Sequence, residues 1–312
     1  MPFPPEVMEL REKVRNWGRW GGDDEIGTLN LITDDAVKQA AKEIKSGKRF
    51  SLALPLDADG PQIGYTPGRV NPELEMTSIN EAYPPDDPDA FAASDDKVTT
   101  SLQAATHWDA LSHVSSSGKM YNGIPADSIT AAGAPRLGIE KVTSLVGRGV
   151  VLDIARAKGH DVMTSTYAIT GDDLDAACEL GKVKMQPGDI VLLRTGKITN
   201  FLSGDKDAYC NFEPGCPGPS LQSVQWFRDH DVAAVAADNY QFEVFPSERE
   251  DAVLPIHILH LVDMGMTQGQ NWNLEALAAD CADDGRYTVF LSATPEPFTH
   301  AVSGLVHPVA VK

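Results

Sequence analysis

Basic residues are scarce in this chain of 312 residues: 26 lysines and arginines stand against 45 aspartates and glutamates, a formal net charge of −19. No stretch gathers the lysines and arginines into a basic stripe. A phosphate backbone would be repelled, so nucleic acid is not an expected partner. Long apolar runs are missing as well, which removes a membrane-spanning helix and leaves no membrane association to expect. The opening Met1-Pro2-Phe3-Pro4-Pro5-Glu6 lacks the basic start and apolar stretch of a secretory leader. The four cysteines, Cys178, Cys210, Cys216 and Cys281, form no CxxC pair. In a chain this long they read as reduced thiols of a cytoplasmic protein, in preference to a Cys210–Cys216 disulfide. Also absent are a GxSxG elbow, a P-loop, a GxGxxG after a strand and an HExxH helix.

What is there is an ordinary globular composition, 42% apolar and 23% charged. Residues 1–32 hold a Gly- and Trp-rich stretch from Trp17 to Asp24 and read as an ordered N-terminal arm on a single domain spanning 1–312. Thr33 caps a helix expected through about Ser46, with Val37, Ala40, Ala41 and Ile44 on one face. Phe50 to Leu54 reads as a short strand. Residues 60–96, rich in Pro, Gly and Asp, read as a long solvated loop ending in an acidic cluster. From residue 149 strands and helices alternate. Strands are expected at Gly149–Ile154, Gly188–Arg194, Val232–Ala237 and Thr288–Leu291. Helices are expected at 170–180, with Thr170 and Asp173 as a capping box, and at 220–228, 256–264 and 273–282. The mixture is α/β.

The chemistry concentrates in Gln103-Ala104-Ala105-Thr106-His107-Trp108-Asp109-Ala110-Leu111-Ser112-His113. Gln103, His107, Asp109 and His113 all occupy odd positions, so a strand would turn all four to one face. A helix beginning after Asp109 would still stack Asp109 and His113 one turn apart. Either geometry converges two imidazoles, a carboxylate and a carboxamide, donors suited to zinc or a similar divalent ion. Trp108 would point the other way, into packing. A metal site needs a ligand from elsewhere in the chain. Pro255-Ile256-His257-Ile258-Leu259-His260 offers two, and spacing does not choose between His257 and His260. His160, His230, His300 and His307 read as surface or packing residues.

At these residues the chain resembles the cyclase-like metal-dependent hydrolases, a family that includes kynurenine formamidase, isatin hydrolase and trans-dienelactone hydrolase. Its signature HxGTHxDxxxH stands here as Gln103-x-Ala105-Thr106-His107-x-Asp109-x-x-x-His113, with the Gln of a longer-chain branch and the branch-like Lys119-Met120-Tyr121-Asn122-Gly123 after it. Further matches are Asn16 to Gly21, Gly27 to Asn30, Gly188-Asp189 to Gly196, Asp238 to Glu243, Pro255-x-His257 and Asn271 to Leu274. The resemblance implies a central β-barrel-like mixed sheet flanked by helices (the swivelling β/β/α type), in a homodimer or homotetramer. It implies hydrolysis of a small carbonyl compound: a lactone, cyclic imide or isatin-like ring, or an N-formyl arylamide. One Zn²⁺ or Mn²⁺ is then expected on Gln103, His107, Asp109, His113 and His257, with His113 or His257 moving the proton of a metal-activated water and Gln270, an amide that cannot act as a base, completing the catalytic set. Gln103 stands where many members have His, and Gln270 where many have Glu, which favours one ion over two. The same two glutamines leave room for a catalytically inert binding protein, and the metal alone would also serve a lyase or cyclase.

Overall fold

The computed structural model describes residues 3–210, 215–249 and 251–312. Its strands run in chain order as β1 (Arg49–Ser51), β2 (Glu73–Tyr83), β3 (Phe91–Thr99), β4 (His107–Asp109), β5 (Val146–Asp153), β6 (Ala168–Ile169) and β7 (Ile190–Arg194). The remainder are β8 (Gly218–Pro219), β9 (Ala234–Ala237), β10 (Thr267–Gln270), β11 (Thr288–Ser292), β12 (Ser303–Leu305) and β13 (Val309–Val311). Nine of them form one mixed sheet in the order β1-β13-β11-β5-β7-β9-β10-β4-β12, curled into a half-barrel with helices around it. The inner strands β5, β7, β9 and β10 are parallel. Antiparallel strands flank them, β11, β13 and β1 on one side and β4 and β12 on the other.

Three of the inner strands, β5, β7 and β9, are largely apolar on both faces because both are covered. Val150, Leu152, Val191, Leu193, Val235 and Ala237 pack one way, against Leu174 and Ala177 of the Gly171–Gly181 helix and Val224 and Phe227 of the Leu221–Asp229 helix. Their alternates Val151, Ile190, Leu192, Ala234 and Ala236 pack the other way, against Leu277 and Cys281 of the Glu275–Asp284 helix and the indoles of Trp108 and Trp272. The capping box forms as expected: the Asp173 backbone N–H donates to Thr170 Oγ1 at 3.3 Å, and the Thr170 N–H returns to the Asp173 carboxylate at 2.9 Å.

Several expectations change. Residues 60–96 are not one loop, because β2 and β3 pair as a long antiparallel hairpin with the acidic Pro84–Asp89 stretch at its tip. Both faces of the hairpin are largely exposed, so no inward-facing alternation marks it. The Thr33-capped helix stops at Ala40 and tightens into a 3₁₀ turn over Ala41–Glu43; it buries Ala40 alone, and Ile44 lies half in solvent. The strand expected at Phe50–Leu54 is Arg49–Ser51. The helix expected at 256–264 starts as Pro255–His257 and continues as a π-helix over Ile258–Met264. Within residues 1–32, a helix at Pro5–Val14 packs on the body, Arg11 pairing with buried Asp263 at 2.7 Å, and the Trp17 indole N–H donates to the Val262 carbonyl at 2.7 Å. All four cysteines are free thiols. No helix among the described residues is long and apolar enough to cross a membrane.

Candidate functional site

The site is built on the part of the sheet where β4 runs antiparallel beside β10, itself parallel to β9. His107 sits opposite Gln270 and Trp108 opposite Gly269. Because side chains alternate along a strand, His107 and Asp109 share a face with Gln268 and Gln270. Trp108 goes to the other face and packs edge-on against Trp272 at 4.8 Å. Gly269 is required there, since a Cβ would meet Trp272 Nε1 at 2.7 Å and Trp108 Cε3 at 2.9 Å.

The four motif residues do converge, though by neither continuous geometry. Only His107–Asp109 is strand; Gln103 comes from the turn before it and His113 from the turn after it. Asp109 is fully buried at the centre. Its Oδ2 accepts from Gln270 Nε2 at 2.9 Å and Gln268 Nε2 at 3.2 Å, and its Oδ1 accepts from Gln103 Nε2 at 3.3 Å. Burial alone would raise the Asp109 pKa, but the imidazoles of His113, His107 and His257 outweigh it and hold the carboxyl well below the usual range.

His107 is equally buried, and its Nδ1 lies 2.7 Å from the Ala105 carbonyl oxygen. That contact places the ring proton on Nδ1 and leaves a lone pair on Nε2. Nε2 has no hydrogen-bond partner and faces Asp109 Oδ1 at 3.5 Å. His113 Nε2 is 4.0 Å from the same oxygen, and its Nδ1 is 3.2 Å from Gln103 Nε2. Burial lowers the His113 pKa against the pull of Asp109.

Above this floor opens a cavity of about 560 Å³ lined in part by Gln103, His113, His257, Gln270, Tyr240 and Arg69. His257, not His260, faces it. His257 Nδ1 contacts Glu243 Oε1 at 2.5 Å, and the Glu243 carboxylate also accepts the backbone N–H groups of Ile256 and His257. Burial opposes charge on His257, but the Glu243 hydrogen bond and charge prevail and raise its pKa. His260 packs edge-on to Phe227 and Phe242, and burial lowers its pKa to about 3. A second cavity of about 470 Å³, beside Leu54, Thr106 and His307, has no comparable cluster of polar groups.

Three residues at the site escaped the sequence reading. Gln268 had a signal, lying two positions before Gln270 on one strand. Glu243 ended a stretch already noted, but nothing marked it as the partner of a histidine 14 positions later. Arg69, whose Nη2 donates to Gln103 Oε1, sits in a loop with no pattern at all.

Among the described residues, no three or more His, Cys, Asp or Glu side chains are disposed as a ready-made metal cage. The donor chemistry nonetheless fits one divalent ion. A ligating histidine characteristically gives its second N–H to a backbone carbonyl, as His107 does, and its free Nε2 lone pair faces an ionised carboxylate with a second imidazole and a carboxamide beside it.

Comparison with known proteins agrees with this architecture. The sequence profile of the Cyclase family matches residues 50–244. A crystal structure described as a novel cyclase is 40% identical and superposes with a TM-score of 0.87, covering 97% of this chain and 99% of its own. Isatin hydrolase A from Labrenzia aggregata, bound to benzyl benzoate, shares the fold at 18% identity and a TM-score of 0.62, covering 91% of this chain and 99% of its own. Isatin hydrolase A from Ralstonia solanacearum does so at 19% and 0.64, covering 89% and 95%. No curated relative matches by sequence. With most of its length matched by the family profile and by a 40% identical relative, the chain belongs to the Cyclase family.

Proposed function

We propose that the chain is a metal-dependent hydrolase that opens a small cyclic ester or amide, such as a lactone, cyclic imide or isatin-like ring, or cleaves an N-formyl arylamide. The observation that carries this reading is at the cavity floor. His107 Nε2, which has no hydrogen-bond partner within normal reach, and Asp109 Oδ1 stand 3.5 Å apart, a nitrogen and a carboxylate oxygen that a cation would bridge. A zinc or manganese ion held by His107, Asp109, His113 and Gln103 would supply charge to polarise the scissile carbonyl and acidity to a water.

The chain's own residues supply the rest. Glu243 occupies Nδ1 of His257, so Nε2 is the atom left for proton transfer. It accepts the proton of the attacking water and returns it to the leaving nitrogen or oxygen, while Glu243 stabilises the imidazolium in between. The Gln270 amide, donating to Asp109, fixes that carboxylate in place. Val114, Phe245, Val253 and Leu254 line the cavity and limit bulk water at the reacting carbonyl. The cavity volume suits a small organic molecule. A homodimer or homotetramer belongs to the same proposal. Its support is the β2–β3 hairpin, which leaves Leu74, Ile79, Tyr83 and Phe91 more than 65% exposed, a surface a second copy would cover.

The test is metal analysis before and after strong chelation, with assays on γ-lactones, cyclic imides, isatin and N-formylanilines. Metal-dependent turnover with ¹⁸O from water in the new carboxylate supports the proposal. A stable chain that takes up neither zinc nor manganese and turns over none of these overturns it. One observation favours the second outcome: Asp109 already receives three carboxamide N–H groups, as it would in an inert binding protein.

A further inference from the structure

Arg69 differs from most of the arginines of this acidic chain. Arg11, Arg19, Arg148, Arg194 and Arg249 each pair with an aspartate or glutamate. Arg69 forms no ion pair with any described residue, and its hydrogen bonds go to neutral groups, the carbonyl of Gln103 and the side chain of Tyr240. A guanidinium carries five N–H donors in a fork that matches a carboxylate. Among the described residues that line the cavity, Arg69 is the only lysine or arginine, and none is an aspartate or glutamate. The described part of the wall, which Arg69 shares with His113 and His257, therefore presents one guanidinium inside a molecule of net charge −19.

From this placement we infer that Arg69 selects the substrate: it takes a carboxylate carried by the small carbonyl compound and so orients the scissile group over Asp109 and His257. The inference rests on the hydrolase reading for its chemistry and deepens it by naming the substrate class, a lactone or cyclic amide bearing a carboxylate. Arg69 has a competing role open to it, since its bond to Gln103 Oε1 turns Gln103 Nε2 toward Asp109 and His113. A residue acting only through Gln103 would affect charged and neutral substrates alike, and this separates the two.

The experiment compares 5-oxotetrahydrofuran-2-carboxylate with its near-isosteric carboxamide in wild type, Arg69→Ala and Arg69→Lys. The expected result is that Arg69→Ala lowers the ratio of kcat/KM for carboxylate over carboxamide by roughly 10- to 100-fold, mostly through KM, the size of a charge-assisted hydrogen bond. Arg69→Lys, which keeps the charge but not the fork, is expected in between. A ratio unchanged in both variants overturns the inference, whatever happens to absolute rates. Calorimetry with tetrahydrofuran-2-carboxylate, which has no bond to hydrolyse, supplies a readout without turnover. Binding weakened by a similar factor in Arg69→Ala supports the inference even if wild type hydrolyses neither lactone, in which case the hydrolase reading alone has failed. Binding indifferent to Arg69 overturns it.

Discussion

Glu243 Oε1 and His257 Nδ1 are held 2.5 Å apart in a buried pocket, with the backbone N–H groups of Ile256 and His257 donating to the same carboxylate. These contacts come from two segments, the loop after β9 and the short helix at Pro255–His257. They fix both the tautomer and the ring orientation of His257, which lines the same cavity as His113, Gln103 and Gln270.

The pH dependence of turnover follows from that pair. A base works in its neutral form, so the rate rises as pH rises through the His257 pKa. Glu243 raises that pKa. In Glu243→Gln the charge is gone, the pKa falls, and the acid limb of the kcat/KM profile moves to lower pH. The plateau is expected to drop by about tenfold or more, a part of the roughly 10²–10⁴ that general base catalysis supplies. A pH-rate profile whose acid limb stays in place would remove Glu243 as the positioning residue of His257.

Asp109 offers the most direct test of the metal. Asn at 109 keeps the shape but lacks the negative charge that lets one carboxylate serve with His107 and His113. Metal content of purified Asp109→Asn is expected below about a tenth of the wild-type value, with activity lost in parallel. The measurement is elemental analysis of folded protein, checked by circular dichroism. Full retention of zinc or manganese would move the ligand set elsewhere.

Much of this was legible in the sequence, for identifiable reasons. Strands β5, β7 and β9 and the Thr170-capped helix announce themselves because local pattern and final environment agree, whereas the polar β10 does not: β7 is apolar throughout and buried throughout, and the Thr170–Asp173 box is a contact three residues long. His107, Asp109 and His113 were legible through short spacing. The β2–β3 hairpin was not, because neither of its faces supplies the inner core and its polar strands carry no alternation. Nor did spacing distinguish His257 from His260. Both are buried on adjoining turns, and only the position of Glu243 makes one a cavity residue and leaves the other between two phenylalanines.

Gln103 tests how far the carboxamides compromise the site. Its Nε2 points at Asp109 and its Oε1 at Arg69, so as arranged it presents a donor where a ligand atom is wanted. Replacing it with the histidine of the family signature adds an imidazole lone pair on the same turn. Gln103→His is expected to tighten zinc binding by about tenfold or more, read by competition with a chromogenic chelator. No change in affinity would place Gln103 outside the ligand set.

The last prediction concerns the pairing of β4 with β10, on which the geometry of His107 and Asp109 depends. Gly269 lies opposite Trp108, and a methyl there would meet the Trp272 indole nitrogen at 2.7 Å and the Trp108 ring at 2.9 Å. Both indoles are fully buried, packed edge-on with each other, and their N–H groups bond to backbone carbonyls of Ala293 and His107, so neither ring can swing aside without leaving a donor unsatisfied. The strain must therefore be relieved by separating the strands. Gly269→Ala is expected to cost about 1–3 kcal/mol, the range for overpacking a filled core, read as a lowered midpoint in urea unfolding. Because strand separation also moves His107 relative to Gln270, metal affinity should fall in the same variant. A lowered midpoint with unchanged metal affinity would mean that the ligand geometry is held by the turns at Gln103 and His113 and not by the sheet.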